Sequence, residues 1–357
     1  MVNLSAVAAV AALSTLAIAH PEPHRTHTQV KREIEYRNAI ASQQTRSLEK
    51  CAGSEKMKRT QERAIERRAA TLQRLRKERG ITNSIKHRRN LDDFVAWGNV
   101  NHNETGIVAA DADLFGANTS CILTPETTIG PYFVSGEYIR ADVTEEQPGV
   151  PLHLEMQFID TTTCEPLPEA FVDIWGCNAT GVYSGIGVSI DGSVQGGFNS
   201  TFLRGVQSTN VDGIVDFDTI FPGHYLGRTT HEHVVVHVGS KALANSTSTG
   251  GTVAHIGQLY FDETLRSAVE ATAPYNTNTI AVTSNNEDRF SGGQATNEYD
   301  PFVEYIYLDS SDITAGILAW GSIGVDSAAD RTVNVTRAAY LDAEGGHATG
   351  EKYVSGL

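Results

Sequence analysis

Short runs in which apolar and polar residues alternate recur along the chain after residue 150. The clearest runs are 152–160, 170–175, 213–221, 233–238 and 302–308, and residues typical of turns separate them. Alternation with a period of two is typical of strands with one buried face, and a series of short strands favours a sandwich. The pattern therefore predicts a mainly β fold, an antiparallel β-sandwich over residues 121–357.

The first 120 residues have a different character. Residues 1–19 are almost wholly apolar or small, which is typical of a secretory signal peptide, whereas residues 20–90 are rich in residues that favour helix. We predict one or two basic helices in 20–90, broken near Gly53 and ending near Gly80. This segment is either a structural part of the protein or a pro-region, and a polar linker over 91–120 follows it.

Charge is divided unevenly along the chain. Residues 1–90 hold 19 basic against 8 acidic residues, whereas the rest of the chain holds 9 against 35. Opposite net charges on one polypeptide favour docking, so we expect the basic segment to pack as helix on the acidic β-domain, or on a second copy of it, and not to bind nucleic acid. Dibasic pairs in this segment, Arg67-Arg68 among them, also fit processing sites of the secretory route.

Two further features favour secretion over a membrane or intracellular location. Asn-X-Ser/Thr sites follow the apolar N-terminus at Asn103, Asn118, Asn178, Asn199, Asn245 and Asn334. The four cysteines are Cys51, Cys121, Cys164 and Cys177. Disulfides among them are expected in an oxidising compartment, and three connectivities are open if all four pair. We expect a secreted, extracellular glycoprotein without a membrane partner.

The candidate chemistry lies in residues 221–237, FPGHYLGRTTHEHVVVH. His231 and His233 are two residues apart in a run typical of a strand, so both imidazoles leave the same face and suit neighbouring positions on a metal. Tyr225 lies in the same stretch, and Tyr183 lies in an earlier turn-like segment. Phenolate is a hard anionic donor, which suits a hard, highly charged ion such as iron(III).

A zinc site is the principal alternative to iron. His237 is separated from His231 and His233 by even numbers of residues, so a strand would place all three imidazoles on one face. Three histidines are a common catalytic zinc set, and a zinc-dependent hydrolase is therefore open, although it leaves both tyrosines unexplained. A β-sandwich binding module without turnover is a second alternative, and a secreted protein that binds iron without catalysing a reaction is a third.

Five motifs in a fixed order identify a family that the chain resembles. They are LTPETTIGPYF (123–133), VDIWGCNATGVYSG (172–185), FLRGVQ (202–207), TIFPGHYLGRTTHEHVVVH (219–237) and GQLYFD (257–262). With these motifs the chain resembles the intradiol ring-cleaving dioxygenases of the catechol and protocatechuate type, and within them the secreted fungal branch. The resemblance implies a non-haem iron(III) enzyme that uses O2 to cleave catechol-type rings between the two hydroxyls, giving muconate-type diacids.

The resemblance also implies a role for individual residues. Tyr225 would act as a base as well as a ligand, and Arg228 would bind the catechol and stabilise negative charge on its ring. Gln258 would line the side of the site where O2 reacts, and Tyr132 would border the substrate. The ligands of one Fe(3+) per chain would be Tyr183, Tyr225, His231 and His233.

The chain departs from the well-known bacterial enzymes between the second tyrosine and the histidine pair. Tyr225 precedes His231 by only six residues, and Thr229 and Thr230 stand where prolines are usual. The shorter loop is expected to open the site, so the resemblance does not identify the particular catechol. It also leaves open whether the protein is a monomer or a homodimer.

Overall fold

The computed structural model describes residues 54–81, 102–105, 129–187, 196–288, 290–291 and 302–351, together with a few positions between 32 and 51. The predicted signal peptide, Asn118 and Cys121 lie outside these residues. The elements are helix α1 (Glu55–Glu78), strands β1 (Val134–Ser135), β2 (Pro151–Asp160), β3 (Phe171–Trp175), β4 (Arg204–Ser208), β5 (Ile214–Ile220), β6 (His231–Ala242) and β7 (Ser248–Tyr260), helix α2 (Glu263–Glu270), and strands β8 (Glu304–Asp309), β9 (Asp312–Val325), β10 (Ala339–Asp342) and β11 (Gly345–Ala348).

Two four-stranded sheets form the sandwich. One has the strand order β5-β2-β9-β8, the other has the order β4-β3-β6-β7, and a small third sheet has the order β1-β10-β11. Strand neighbours within the two large sheets are antiparallel except for β2 and β9, which are parallel. The predicted mainly β sandwich is confirmed. The parallel pair was not expected. It is possible because the long stretch of chain between β2 and β9 allows the crossover connection that a parallel pair requires.

The core lies between the two large sheets and follows the predicted alternation. Leu154 and Phe158 of β2 are fully buried, and so are Val234 and Val236 of β6 and Ile317 of β9. Successive side chains of a strand point to opposite faces, so the residues between these leave the core. On β6 this alternation turns His231 and His233 away from the inter-sheet core and toward the other face of their sheet.

Helix α1 packs on the outer face of the sheet that contains β8 and β9. The side chain of Ser54 accepts a hydrogen bond from the backbone N–H of Met57 and so caps the helix, and Gly80 follows its C-terminal end with φ 66°. Leu72 and Leu75 join an apolar cluster with residues of β8 and β9 that includes Trp320. The predicted docking of the basic segment on the β-domain is thus confirmed for residues 55–78.

A disulfide and a buried ion pair reinforce this docking. Cys51, just before α1, is bonded to Cys164, which follows β2. On β2 the carboxylate of Glu155, which is fully buried, accepts hydrogen bonds from Arg67 and Arg68 of α1. Arg68 is only 3% exposed, so this dibasic pair is not accessible to a processing protease in the folded protein. The suggestion of a processing site at Arg67-Arg68 is therefore wrong for the folded chain.

Part of the predicted linker adds to the edge of the first sheet. Asn103 forms a parallel bridge with Tyr305 of β8, and the backbone N–H of Glu104 donates to the carbonyl of Tyr305. Within the described ranges, no helix combines the length and the apolar character that a membrane crossing requires.

Candidate metal centre

The two histidines of the HxH motif point their Nε2 atoms toward a common position. His231 begins β6, which is paired with β3 on one side and with β7 on the other. The Nε2 atoms of His231 and His233 lie 3.2 Å apart. The prediction that both imidazoles leave the same face of one strand is confirmed.

Each imidazole is held by a neighbouring group. The Nδ1 of His231 lies 2.6 Å from the carbonyl oxygen of Thr229, which can only accept, so this nitrogen carries the proton and Nε2 presents its lone pair. The ring of His233 stacks on Trp175, with centroids 4.5 Å apart and an interplanar angle of 8°. The register that pairs Trp175 with His233 across β3 and β6 brings these two rings together.

Both predicted tyrosines lie beside the histidines. The hydroxyl oxygen of Tyr225 is 3.3 Å from the Nε2 of His231. The ring of Tyr183 lies 5.6 Å from that of Tyr225 and 6.3 Å from that of His233, measured between centroids. The Tyr183 hydroxyl is buried and makes no hydrogen bond of acceptable geometry to any residue in the described part of the chain.

Gly181 allows the loops that carry the two tyrosines to meet. It adopts φ 84°, and a Cβ at this position would collide with the backbone carbonyl of His224, the residue before Tyr225. Any other residue would both strain the backbone and push the loops apart. The glycine two residues before Tyr183 therefore sets the distance between the two phenols.

The site is shielded from bulk solvent, and its donors are neutral in the absence of a cation. Tyr183, Tyr225, His231 and His233 are each at most 6% exposed. Burial raises the pKa of Tyr183 and of Tyr225 above that of an ordinary phenol. Burial, together with the positive charge of Arg228, lowers the pKa of His231 to about 3. Two phenols that resist ionisation in a buried site become stable anions only beside a strong positive charge.

The donor geometry fits a single metal ion. Two ligand atoms at right angles, each about 2.1 Å from one ion, lie about 3.0 Å apart. The separations of 3.2 Å between the histidine nitrogens and 3.3 Å between Tyr225 and His231 are close to this value. A set of two imidazoles and two phenols suits a hard, highly charged ion, so the residues present fit iron(III).

His237 does not belong to this group. It lies on the predicted face, but residues four apart on a strand are about 13 Å apart, which is too far for His233 and His237 to share an ion. The Nε2 of His237 instead lies 4.0 Å from a carboxylate oxygen of Asp173. Among the described residues, no group of three His, Cys, Asp or Glu side chains could hold a metal. The three-histidine zinc alternative is therefore wrong. Even spacing along a strand places side chains on the same face, but it does not place them close enough to share an ion.

Arg228 is fully buried beside the histidine pair. Its Nε donates to Asp288 at 2.8 Å, and its Nη2 donates to the amide oxygen of Gln258 at 2.5 Å. Its guanidinium carbon lies 4.5 Å from the ring centroid of Phe290. Gln258 is the β7 partner of His233, so the structure brings both predicted catalytic side chains to the face that carries the metal donors.

Tyr132 lies against both tyrosines. Its ring centroid is 4.6 Å from that of Tyr183 and 6.4 Å from that of Tyr225. It is only 3% exposed. The structure thus places Tyr132 in the wall around the candidate ligands, where it restricts how the two phenol rings can move.

Three residues at the site were not predicted. Trp175 supports His233, Tyr260 donates to Gln258 at 2.8 Å, and Asp288 binds Arg228. Tyr260 could have been predicted from the sequence, because it lies two residues after Gln258 and side chains two residues apart on a strand point to the same face. Asp288 lies in a loop without periodicity, and no local pattern connects it with Arg228.

Comparisons with known proteins identify the family to which the chain belongs. A family model described as "Dioxygenase" matches residues 129–266. The solved structure of an intradiol ring-cleavage dioxygenase from Tetranychus urticae is 30% identical in sequence, has a TM-score of 0.50, and matches 60% of this chain and 98% of that chain. The dioxygenase domain of a carbohydrate-binding fusion protein from Streptomyces sp. SirexAA-E is 25% identical, with a TM-score of 0.37 over 57% of this chain and 99% of that one. No curated protein matches the chain. The chain belongs to the intradiol ring-cleaving dioxygenase family, and it is an oxidoreductase.

Proposed function

We propose that this protein is a secreted, iron(III)-dependent enzyme that cleaves catechol-type rings between their two hydroxyls and forms muconate-type diacids. The observation that carries the proposal is the convergence of two phenols and two imidazoles in one buried site, with an arginine beside them. Membership of the dioxygenase family supports the reaction type. The dioxygenase assignment accounts for all four donors, which neither a zinc hydrolase nor a binding module does.

Tyr183, Tyr225, His231 and His233 would hold the iron, one ion per chain. The chemistry that a ferric ion supplies in such a site is the binding of both catechol oxygens and the activation of the ring toward O2. The side chains of the protein supply the dry surroundings, because the four donors are buried and water would otherwise compete for the same positions.

Tyr225 is the proposed base for a catechol proton. A phenolate released from the metal is a competent base, because a free phenol is a weak acid with an ordinary pKa of about 10. The hydroxyl oxygen lies 3.3 Å from the Nε2 of His231, so a substrate oxygen that approaches the histidine pair comes within reach of Tyr225. The phenol therefore combines the position and the basicity that proton transfer requires.

Arg228 is the proposed group that stabilises negative charge on the substrate. Its guanidinium carries five N–H donors, and bonds to Asp288 and Gln258 fix its orientation before substrate arrives. A preorganised cation in a dry site stabilises developing charge more strongly than one in water does. Gln258 and Tyr132, which line the same site, are proposed to contact O2 and the catechol.

The proposal of an extracellular location rests on the sequence and on one covalent contact. The disulfide between Cys51 and Cys164 is typical of proteins that mature in an oxidising compartment. Asn199 and Asn245 are exposed and could carry glycans, whereas Asn103 and Asn178 are each only 8% exposed. The apolar residues 1–19 supply a signal peptide. No nucleic-acid partner is proposed.

Turnover of catechol by iron-loaded protein tests the proposal. O2 consumption should accompany the loss of catechol, with about one O2 used per ring, and mass spectrometry should identify a muconate-type diacid. His233→Ala is the matched control, because it removes one ligand and should lower both iron content and turnover. No O2 uptake by fully iron-loaded protein with a panel of catechols, or a product cleaved outside the two hydroxyls, would contradict the proposal.

A further inference from the structure

A chain of hydrogen bonds runs from the loop after α2 to the metal-facing side of β7. Asp288 accepts from the Nε of Arg228 at 2.8 Å, and the Nη2 of Arg228 donates to the Oε1 of Gln258 at 2.5 Å. The hydroxyl of Tyr260 donates to the same Oε1 at 2.8 Å. Gln258 and Tyr260 are the β7 partners of His233 and His231, so the chain ends beside the two candidate histidine ligands.

The carboxylate of Asp288 is bound on both oxygens. Its Oδ2 accepts from the Nε of Arg228 and from the backbone N–H of Thr229, the latter at 2.7 Å. Its Oδ1 accepts from the backbone N–H groups of Phe290 at 2.6 Å and Ser291 at 3.0 Å. Four donors on one carboxylate fix its position and its orientation, and they favour the ionised form. Although burial opposes ionisation, the positive charge of Arg228 and the backbone N–H of Thr229 contribute to lowering the pKa of Asp288 to about 2.

Arg228 is held on three sides as a result. Asp288 binds one edge of the guanidinium, Gln258 binds another, and the ring of Phe290 lies against the guanidinium carbon at 4.5 Å. The side chains of Arg228 and Asp288 are both fully buried. A long, flexible side chain loses much of its catalytic value if it can leave its productive orientation, and a displacement of about 1 Å can lower a rate about a hundredfold.

The same chain also orients Gln258. Its Oε1 accepts from both Arg228 and Tyr260, so its Nε2 is the end of the amide that can donate. Removal of either donor would allow the amide to rotate and exchange these ends. Tyr260 and Asp288 therefore act on the site through the side chains that they hold.

On the basis of the proposed function, we infer that Asp288 is a positioning residue for ring cleavage. Asp288 anchors Arg228, and Arg228 and Tyr260 together orient Gln258. Neither Asp288 nor Tyr260 is needed to bind the metal. Loss of a metal ligand would lower metal content and turnover together. Disruption of this chain of hydrogen bonds should instead lower turnover and leave the metal content unchanged.

Asp288→Asn and Glu155→Gln form a matched pair for the test. Both replace a buried carboxylate that binds arginine by a neutral amide of similar shape, but Glu155 lies on β2 beneath α1 and is remote from the site. Iron content, the visible absorption band, the affinity for catechol without O2, kcat and KM would be measured for wild-type protein and both variants. Tyr260→Phe is a third variant, which removes a single hydroxyl and is expected to fold if Asp288→Asn does not.

Asp288→Asn is expected to retain wild-type iron content and the visible band, while kcat falls by about 10- to 100-fold and KM changes less. Tyr260→Phe should lower kcat by a smaller factor, and Glu155→Gln should leave kcat unchanged. A kcat in Asp288→Asn and Tyr260→Phe equal to that of Glu155→Gln would overturn the positioning role, as would loss of iron in parallel with loss of activity. Iron-loaded wild-type protein that does not turn over catechols would instead contradict the proposed function itself, and the positioning role with it.

Discussion

Replacement of both Arg67 and Arg68 by methionine should destabilise the protein strongly. The fully buried carboxylate of Glu155 accepts hydrogen bonds from Arg67 at 2.9 and 2.8 Å and from Arg68 at 2.7 Å. Methionine keeps much of the apolar contact that the arginine stems make, so the main change is loss of the positive charges. Glu155 would then be an uncompensated charge inside the protein, at a cost of about 3–5 kcal/mol in the free energy of unfolding.

Urea denaturation with the disulfide intact and at a fixed iron concentration would measure this cost. Arg63→Met is the matched control on the same helix, because Arg63 binds Asp212 while its side chain is 48% exposed. An exposed pair of this kind contributes about 0–1 kcal/mol. Addition of Glu155→Gln to the double variant should restore a large part of the stability, because a neutral amide costs less to bury than a carboxylate. A double variant no less stable than Arg63→Met would refute the conclusion that this ion pair anchors α1.

Three further predictions concern the site and the effect of pH. Tyr225→Phe should lose turnover even where iron is retained, because it removes an anion and the proposed base; near-normal activity in iron-loaded variant protein, measured by O2 uptake, would refute the assignment. Arg228→Ala should keep iron and colour but raise the barrier by about 2–4 kcal/mol, which an unchanged kcat would contradict. Although burial opposes ionisation, Arg68 and Arg67 lower the pKa of Glu155 in the folded protein. The contribution of Glu155 to stability should therefore be complete above the ordinary pKa range of a carboxyl group and be lost as pH falls through its lowered pKa. Urea denaturation at several acidic pH values should show that the free energy of unfolding depends less on pH in Glu155→Gln than in wild-type protein. The same dependence on pH in both proteins would count against the ion pair.

The histidine pair could be predicted from the sequence because strand parity is a local property. His231 and His233 share a face whatever the rest of the chain does, and their Nε2 atoms are indeed 3.2 Å apart. The same reasoning wrongly allowed His237 as a third metal ligand, since even spacing indicates only the face of the strand and not the distance along it. The β-sandwich could likewise be predicted from alternation, whereas the parallel pairing of β2 with β9 depends on contacts between distant segments.

Contacts that join distant loops were not predictable. Asp288 meets Arg228 across 60 positions of sequence, and neither residue lies in a periodic pattern that would connect them. The disulfide partner of Cys51 was equally open, because connectivity depends on which segments the fold brings together. The side of the sandwich that α1 covers is set by Glu155 and Trp320, whose outward direction on β2 and β9 becomes apparent only once the strands are paired.

The visible spectrum of protein loaded with one iron per chain tests the central claim most directly. Phenolate bound to iron(III) absorbs visible light, so the protein should be red-brown, and anaerobic catechol should shift the band. Tyr183→Phe and Tyr225→Phe should each alter the band, whereas Tyr138→Phe, a change at a more exposed tyrosine outside the site, should not. A colourless active protein with one zinc per chain, or a band that neither substitution at Tyr183 nor at Tyr225 changes, would contradict the account.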